Sequence, residues 1–340
     1  MAVKAVSYIK GDTSGRFPLS FSGLNIIDTD SFDGGFYVLA DSELTLYDRD
    51  GNERFKLQHE YTSPAVAKSD KRLIFFDRGG TEYSVLNKRG FVLEHKKADG
   101  AVIAAAIDDS GAYALSVRSD AATSTLCVFD KSDTKVFEWN CAYSHVSSIA
   151  LTDGGKTVAV AAIGAENGNS ITELSIFGVE YSEPLYSEKL ADICVLKMYY
   201  PSSGRLFVLS DSGVFTIRKN SEKTQVLDCF SAELSGFSYA PEGRSALSLV
   251  KYGGSDLCEL YGFNRKGETV FKAVVNSEPV SVFTDGKFYL LLCGNTIYVY
   301  NKKGEGAGEQ AVNAGADDVF LSGTYIYCRT GEILERYSLY

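Results

Sequence analysis

Histidine is the residue type most often used for metal or acid–base chemistry, and this chain has only His59, His95 and His145. No two of them stand four residues apart and no HExxH motif occurs, so their spacing gives no zinc site. His59 and His95 occur at similar points of two repeats, near the ends of outer strands, which explains them better than metal ligation. A Ser/His/Asp set built around His145 would lack the GxSxG turn that presents a nucleophile. We therefore predict no metal site and no catalytic residue.

Cysteine and glycine-rich loops are the next candidates for chemistry. The seven cysteines form no CxxC motif, and most lie inside apolar runs such as Leu290-Leu291-Leu292-Cys293. They are predicted to be buried small apolar residues. No GxGxxG or Walker-type loop opens a helix, so no nucleotide cofactor is expected, and we predict no cofactor of any kind.

One segment matches part of the Asp box that marks turns in sialidase propellers. Asp153, Gly155 and Thr157 agree with its Asp, Gly and Thr, but Leu151 and Val158 stand where the box has Ser and Trp. The match occurs once, on a tight turn, so it indicates a hairpin and not a glycosidase.

Composition excludes several classes of partner. The 340 residues carry a formal net charge of −10 with acids and bases interspersed, which leaves no basic field for nucleic acid. No run approaches the roughly 18 apolar residues that span a bilayer, so we predict no membrane span in this chain and leave open an upstream anchor. Tyr and Phe together number 41, a balance that favours strands.

The elements that position any site are strands. Segments of five to eight strand-like residues alternate with Gly/Asp/Asn/Ser turns throughout the chain, and helical periodicity is hard to find. The first tight turn of each unit recurs about every 41 residues, the blade length of a β-propeller. These turns are Asp33-Gly34-Gly35, Asp70-Lys71, Ser110-Gly111, Asp153-Gly154-Gly155, Ser203-Gly204, Glu242-Gly243, Asp285-Gly286 and Ser322-Gly323.

The last unit stops after its third strand, while residues 3–9 supply a spare strand at the other end. Pairing the two would close the ring and leave no open edge. We therefore predict one all-β domain over residues 1–340, an eight-bladed propeller of four-stranded blades, with seven blades as the alternative. The predicted segments are 1–11 for the closing strand and 24–60, 61–97, 98–140, 141–190, 191–230, 231–275, 276–313 and 314–340 for the blades.

The hairpin at residues 152–161, TDGGKTVAVA, is similar to the S-P-D-G-K-x-hydrophobic hairpin of beta-strand repeat propellers. The repeated order of apolar strand, Tyr-Asp or Phe-Asn, basic turn and Gly resembles quinoprotein-like propellers. The whole chain looks like a family of uncharacterised bacterial propellers of Firmicute type, often anchored to the membrane by an N-terminal helix. That resemblance implies an extracytoplasmic, envelope-associated protein; a cytoplasmic location is the alternative.

Two departures limit what these resemblances imply. Quinone-dependent dehydrogenases carry a Trp in nearly every blade and a pair of adjacent cysteines, whereas Trp139 is the one Trp here and no cysteines are adjacent. No Trp-Asp dipeptide occurs either, which argues against the intracellular WD-repeat class.

Binding residues are sought on the face that carries the connections between second and third strands, because long loops on a rigid scaffold often carry function. The longest such loops are predicted at residues 118–123 and 163–170. Their polar members are the candidate binding residues, and these are Arg118, Asp120, Glu166, Asn167 and Asn169.

The sequence thus predicts a non-enzymatic binding or scaffold module, monomeric, that engages a protein or cell-envelope component through this loop face. The alternative is an enzyme acting on sugars or lactones in the central channel, which requires clustered carboxylates or calcium ligands there.

Overall fold

The computed structural model describes residues 9–69, 71–89, 92–142, 144–202, 204–219, 221–229, 232–251 and 257–339. These residues form eight antiparallel sheets and a single turn of 3₁₀ helix at Asp153–Gly155. The protein is an eight-bladed β-propeller, which confirms the predicted fold and removes the seven-bladed alternative. None of the described helical residues forms a helix that could cross a membrane. Two compact units, residues 60–228 and residues 1–59 with 229–340, contain four sheets each.

The unit at residues 60–228 contains sixteen strands, and each sheet pairs four strands in chain order. They are β7 (Pro64–Lys68), β8 (Arg72–Asp77), β9 (Glu82–Asn87) and β10 (Val92–Lys97); β11 (Val102–Ile107), β12 (Tyr113–Arg118), β13 (Ser124–Phe129) and β14 (Lys135–Cys141); β15 (His145–Thr152), β16 (Thr157–Glu166), β17 (Asn169–Gly178) and β18 (Tyr186–Ala191); and β19 (Val195–Ser202), β20 (Arg205–Ser210), β21 (Gly213–Arg218) and β22 (Lys223–Asp228).

The other unit contains the remaining sheets. They are β3 (Ile26–Phe32), β4 (Gly35–Ala40), β5 (Glu43–Tyr47) and β6 (Glu53–Gln58); β23 (Ala232–Tyr239), β24 (Ser245–Lys251), β25 (Leu257–Phe263) and β26 (Thr269–Asn276); β27 (Pro279–Thr284), β28 (Phe288–Cys293), β29 (Thr296–Asn301) and β30 (Gly306–Ala311); and β31 (Asp318–Ser322), β32 (Tyr325–Thr330) and β33 (Ile333–Leu339), which pair with β1 (Ile9–Gly11) and β2 (Leu19–Ser20).

Burial falls from the second to the fourth strand of each sheet. All six residues of β4 are buried, whereas β6 alternates between exposed and half-buried residues. A continuous apolar run is typical of a strand covered on both faces. Alternation of exposed and buried residues is typical of a strand with one face in solvent. The second strands therefore form the core between neighbouring sheets, and the fourth strands form the outer edge.

In the polar turns before the fourth strands, the side chain of the first residue accepts hydrogen bonds from the backbone of the turn. Asn301 Oδ1 accepts hydrogen bonds from the backbone N–H groups of Lys303 at 2.8 Å and Glu305 at 3.2 Å. Gly304 has φ +79°, and a Cβ there would lie 2.3 Å from the Phe271 ring. The Asn/Asp-x-x-Gly pattern is thus a side-chain-capped turn whose glycine adopts a left-handed conformation.

Six of the eight first strands contain a β-bulge, an extra residue that interrupts the pairing with the second strand. Each bulge lies one or a few residues into the strand, where the register shifts by one. The bulged residues are Ile27, Ile103, Ser147, Leu196, Ser235 and Val280. A bulge turns a side chain away from the alternation of its strand. Leu196 and Val280 are exposed apolar residues for this reason.

The N-terminal segment completes the last sheet, as predicted from the missing fourth strand. Ile9 lies opposite Leu339, and Gly11 lies opposite Tyr337. Residues 1–8 of the predicted closing strand lie outside the described residues. A second short strand, which the sequence did not predict, continues the pairing with Leu19 opposite Leu334. The edge of β33 is therefore covered in two pieces, β1 and β2.

Arg336 lies on β33 between these two pieces and is fully buried. Its guanidinium donates to Ser14 O at 2.9 Å and Arg49 O at 2.6 Å, and it lies 3.3 Å from a carboxylate oxygen of Asp12. The guanidinium carbon is also 4.5 Å from the centre of the Phe17 ring. One side chain thus fixes the segment between β1 and β2 against the last sheet.

Glu259 on β25 is a buried carboxylate with three partners. Burial by itself would raise its pKa, but hydrogen bonds from Lys272 at 2.8 Å, Lys251 at 2.9 Å and Tyr261 at 2.7 Å outweigh it. The net effect lowers the pKa of Glu259 to about 2. A carboxyl with a lowered pKa in the folded state stabilises the fold above its unfolded pKa, and this contribution is lost as the pH falls.

We expect Glu259→Gln to lower the free energy of unfolding by about 2 kcal/mol at pH 7. The two proteins should converge as the pH falls from about 4.5 towards 2, because the wild-type carboxyl then takes up a proton. Urea unfolding at a series of pH values measures this. Glu138→Gln is the control, since Glu138 and Lys135 are both nearly half exposed and change stability by less than about 1 kcal/mol. An equal loss at pH 3 and pH 7 would contradict the charge argument.

Candidate functional site

The connection between β12 and β13 is one of the two predicted loops, and the structure confirms it as a loop of residues 119–123. Arg118 ends β12, and its side chain is exposed, as is that of Asp120 within the loop. The loop is tied to the following sheet because Thr123 Oγ1 donates to Ala142 O at 2.8 Å. Ser124, at the start of β13, accepts from the backbone N–H of Val146 at 3.1 Å. The loop therefore has a fixed base and a polar, exposed tip.

The second predicted loop, residues 163–170, is not a loop. Strands β16 and β17 each run for ten residues and stay in register up to Glu166 opposite Asn169. Only Asn167 and Gly168 form the turn, with φ of 53° and 83°. Two consecutive left-handed residues make a type I′ turn, the form that matches the twist of a two-stranded hairpin. The prediction was wrong because Asn167-Gly168 closes a hairpin. Apolar and polar residues alternate only weakly in the strand before this pair, so the sequence pattern did not indicate a strand there.

The end of this hairpin, residues 164–170, is here called the arm. Strand β15 pairs with β16 as far as Ile163, and β18 pairs with β17 as far as Ile171, so the arm extends beyond both neighbours. Three residues of strand correspond to a projection of about 10 Å. Lys189 Nζ on β18 lies 2.8 Å from Glu166 Oε2, an exposed ion pair that orients the arm and contributes little to stability.

The structure brings three of the five predicted binding residues together. Glu166, Asn167 and Asn169 all lie at the tip of the arm and are exposed. Arg118 and Asp120 belong to the equivalent connection of the preceding sheet, at the same end of their strands. Within the described ranges no hydrogen bond or ion pair joins the two groups. The arrangement offers one cation, two carboxylates and two amides to a ligand.

His59 directly follows the outer strand β6, and His95 lies within the outer strand β10. His95 Nδ1 is 2.9 Å from Ser84 Oγ, and His59 Nε2 is 3.2 Å from Ala40 O, so each contacts its own sheet. His145 begins β15 and is exposed. In the part of the chain that the structure describes, no three His, Cys, Asp or Glu side chains lie close enough together to hold a metal ion.

A cavity of about 60 Å³ opens at the other end of the unit, between the sheet β15–β18 and the sheet β19–β22. Its apolar wall comes from Ile176, Leu185, Tyr186, Tyr200 and Ile217. The polar residues that line it are Thr152, Asp153, Thr157, Arg218, Lys219 and Ser221, with Gly204 beside them. It is a concave, largely apolar site with a charged rim, the form that binding sites commonly take.

The mouth of this cavity is shaped by the connection between β17 and β18. At seven residues, 179–185, it is longer than the four or five residues between other described third and fourth strands. Its first and last residues are held by backbone bonds, from Val179 N to Lys156 O at 2.9 Å and from Leu185 N to Ile176 O at 2.7 Å. Tyr181 and Leu185 remain 58% and 54% exposed.

Tyr200 is the unusual member of the cavity wall. Its hydroxyl oxygen is shielded from solvent, and no described residue lies within hydrogen-bond distance of it. Burial raises the pKa of Tyr200, and the nearby charge of Asp153 raises it further, so the group is a neutral donor at physiological pH. A buried hydroxyl without a partner is costly and uncommon.

Two other polar groups of the cavity lining, those of Tyr186 and Arg218, are paired within the protein. Tyr186 donates to Glu188, which also binds Lys223 Nζ at 2.8 Å. Arg218 lies 3.0 Å from a carboxylate oxygen of Glu222. Lys219 is exposed and forms no ion pair with a described residue.

In the sequence, Tyr200 is one of many strand tyrosines and carries no signal of its own. The overlooked signal is Pro201, which cannot donate to a sheet. In β19 the register shifts between Tyr199 and Ser202, so Tyr200 and Pro201 form an irregularity. That break turns the Tyr200 ring towards the neighbouring sheet.

A protein-family profile, described as "Family of unknown function (DUF5711)", matches residues 22–335. The chain belongs to this family. A search of curated proteins by sequence finds no match. Membership of DUF5711 agrees with the resemblance to an uncharacterised propeller family.

Several solved structures resemble this DUF5711 protein in fold. The C-terminal WD40 domain of Sif2 aligns over 98% of this chain and 99% of its own, with a TM-score of 0.65 and 11% identity. Sqt1 of Saccharomyces cerevisiae covers 95% of this chain and 98% of its own, with a TM-score of 0.58 and 12% identity. BamB from Moraxella catarrhalis covers 93% and 100%, with a TM-score of 0.54 and 12% identity. At these identities the likeness establishes the propeller fold alone.

Proposed function

We propose that this protein is a non-enzymatic binding propeller that engages a protein or cell-envelope component through the arm and the 119–123 loop. The observation that carries the proposal is the arm itself, a hairpin held in register to its last pair and exposed over residues 165–170. A rigid polar projection loses little conformational entropy on binding, which favours recognition. Arg118, Asp120 and Glu166 would supply charged contacts, and Asn167 and Asn169 would supply amide hydrogen bonds.

The ligand we favour is a folded protein in the cell envelope, with this chain acting as a monomer outside the cytoplasm. A stable complex of this kind needs roughly 1,200–2,000 Å² of buried surface, which the arm alone does not provide. The 119–123 loop of the preceding sheet extends the same end of the unit. The net charge of −10 is compatible with a soluble ectodomain that avoids anionic lipid.

The test is site-specific photo-cross-linking in envelope fractions of the source cells. With p-benzoylphenylalanine at Asn169, we expect one stoichiometric adduct, because this residue lies beside the tip of the arm. The same cross-linker at Lys302, in an exposed turn of the other unit, should not give this adduct.

Charge reversal then identifies the contact. Glu166→Arg should abolish the adduct at Asn169, whereas Glu138→Arg, the matched change at another exposed lysine-paired glutamate, should leave it. An adduct that survives Glu166→Arg would move the binding surface elsewhere. Absence of any adduct at Asn169 across growth conditions would contradict binding through the arm.

One observation keeps an enzyme acting on sugars or lactones as a second candidate. Asp28 and Asp30 on β3 and Asp318 on β31 lie close enough to influence the same Tyr37 hydroxyl. Burial raises the pKa of Asp318, against the hydrogen bonds from Thr29 at 2.6 Å and Ser281 at 2.9 Å. A carboxyl with a raised pKa near other carboxylates suits general acid catalysis. Turnover in a nitrophenyl-glycoside and lactone screen, lost in Asp318→Asn, would favour this candidate over the binding module.

A further inference from the structure

Two buried cysteines meet where neighbouring sheets pack together. Cys258 is the second residue of β25, and Cys293 is the last residue of β28. Both belong to one buried apolar cluster with Leu260 and Leu291, and the Cys293 thiol donates a hydrogen bond to the Cys258 sulfur. We infer that this pair is a covalent cross-linking site, where a disulfide joins the sheet β23–β26 to the sheet β27–β30. The inference is independent of the arm, which belongs to the other unit.

The contact between the two thiols favours a bond between their sulfur atoms. Because the thiols are hydrogen-bonded to each other, no other side chain separates them. A disulfide then requires the sulfur atoms to approach to about 2.05 Å. Cys293 ends its strand and is followed by Gly294, whose φ is 53°, so the backbone adjusts here at lower cost than within a sheet.

The folded structure selects this pairing over others. Cys141 and Cys328 are buried in two other apolar clusters. A disulfide from either residue to Cys258 would have to pull a buried side chain out of its cluster. Since thiol–disulfide exchange is reversible, mispaired chains rearrange until they reach the pair that folding buries.

Burial assigns the oxidation to the folding chain. The hydrogen bond and burial raise the pKa of Cys293, and both thiols are shielded from solvent, so exchange with an external disulfide is slow once the sheets have packed. In the unfolded chain both thiols are exposed. The oxidant we propose is a low-molecular-weight disulfide, such as oxidised glutathione.

The cross-link forms in two exchange steps. The Cys258 thiolate attacks one sulfur of the donor, the S–S bond of the donor breaks, and one glutathione thiolate leaves. As the sheets come together, Cys293 loses its proton to solvent and attacks the Cys258 sulfur of the mixed disulfide, which releases the second glutathione thiolate. Two protein thiols are oxidised, and one donor disulfide is reduced to two thiols.

The expected consequence is a more stable pair of sheets. A cross-link between Cys258 and Cys293 restricts the unfolded chain and leaves the packing of the native cluster in place. Once buried, the bond is shielded from soluble reductants. Disulfides persist outside the cytoplasm, which is the location we propose for this chain.

Peptide mapping after refolding tests the site. The full chain is reduced and unfolded in urea, then refolded with oxidised and reduced glutathione or with dithiothreitol, and its free thiols are blocked with N-ethylmaleimide. Trypsin should release residues 252–265 joined to residues 288–302 from most of the glutathione sample and from none of the dithiothreitol sample. Absence of this linked pair, or an equal yield of pairs with other cysteines, would overturn the inference.

Thermal unfolding tests whether the bond fits the native structure. The oxidised protein should melt about 5 °C or more above the reduced protein. Cys293→Ala should remove this difference, whereas Cys328→Ala, a matched change in another buried cluster, should keep it. An oxidised protein that melts at or below the reduced one would overturn the inference, because the bond would then strain the sheets. The peptide map uses the unaltered chain, so it decides the question even if an alanine variant fails to fold.

Discussion

Replacing Arg336 by methionine is expected to lower the free energy of unfolding by about 3–5 kcal/mol. The guanidinium has no solvent exposure, and it serves Asp12, Ser14 and the backbone carbonyl of Arg49 at once. Methionine fills part of the volume but donates no hydrogen bond. The carboxylate of Asp12 and the carbonyl oxygens of Ser14 and Arg49 would then lose their shared donor, which is itself fully buried.

The aromatic rings around Arg336 add to this effect. The guanidinium carbon lies 4.5 Å from the centre of the Phe17 ring and 4.3 Å from that of Tyr325. A cation over an aromatic face contributes about 2 kcal/mol or more where water is excluded. Arg336→Lys keeps the charge but lacks the planar guanidinium with its several N–H donors. It should therefore recover only a minor part of the lost free energy of unfolding.

Equilibrium unfolding in guanidinium chloride measures the change. Arg54→Met is the control, because Arg54 and Asp33 are 3.5 Å apart and both partly exposed, and its loss should stay below about 1 kcal/mol. A change of less than 1 kcal/mol for Arg336→Met would mean that the segment between β1 and β2 is held by its apolar residues alone.

Deleting residues 1–20 is expected to make the protein self-associate. The deletion uncovers β33 from Ile333 to Leu339, where β1 and β2 otherwise pair with it. A strand edge with free N–H and C=O groups and apolar neighbours is a template for pairing with another chain. The deletion also removes Phe17, a buried residue that packs against Tyr327.

Rescue in trans distinguishes an open edge from general unfolding. A synthetic peptide of residues 1–21 should restore the elution volume and mass of the full chain in size-exclusion chromatography with light scattering, because it supplies both short strands and two of the partners of Arg336, Asp12 and Ser14. The same peptide added to the full chain should have no effect. A deletion variant with the same mass per particle and the same melting temperature as the full chain would contradict the role given to this segment.

The repeat architecture could be predicted because its signals are local. The capped turns at Asn264 and Asn301 place the same residue types at the same spacing, and the register of each hairpin follows from them. The unpaired C-terminal strand indicated where β1 goes. Strand β2 gave no signal, because Leu19-Ser20 is too short to stand out and depends on Arg336 to bring it to the edge.

The candidate sites were less predictable for a physical reason. The sequence places Glu166, Asn167 and Asn169 in a polar interruption of the apolar pattern, which predicts exposed residues. Such an interruption also predicts a loop. The Asn-Gly pair within it is a strong hairpin signal, and the structure follows that signal. The cavity is formed by two sheets that meet side by side, and its key residue, Tyr200, is an ordinary strand residue in the sequence. Only the structure shows that its hydroxyl is shielded from solvent and has no hydrogen-bond partner among the described residues.

The blades fall into two classes, those whose first strand contains a bulge and those whose first strand does not. Blades of the two classes are not directly interchangeable. The two first strands without a bulge, Pro64–Lys68 and Asp318–Ser322, have five residues, and the bulged ones have six to eight. A chimera that transplants a blade across this boundary carries one residue too many or too few, and every side chain before the insertion point changes face. Blade exchange and consensus design in this family are therefore expected to tolerate swaps within a class and to require a compensating single-residue change between classes.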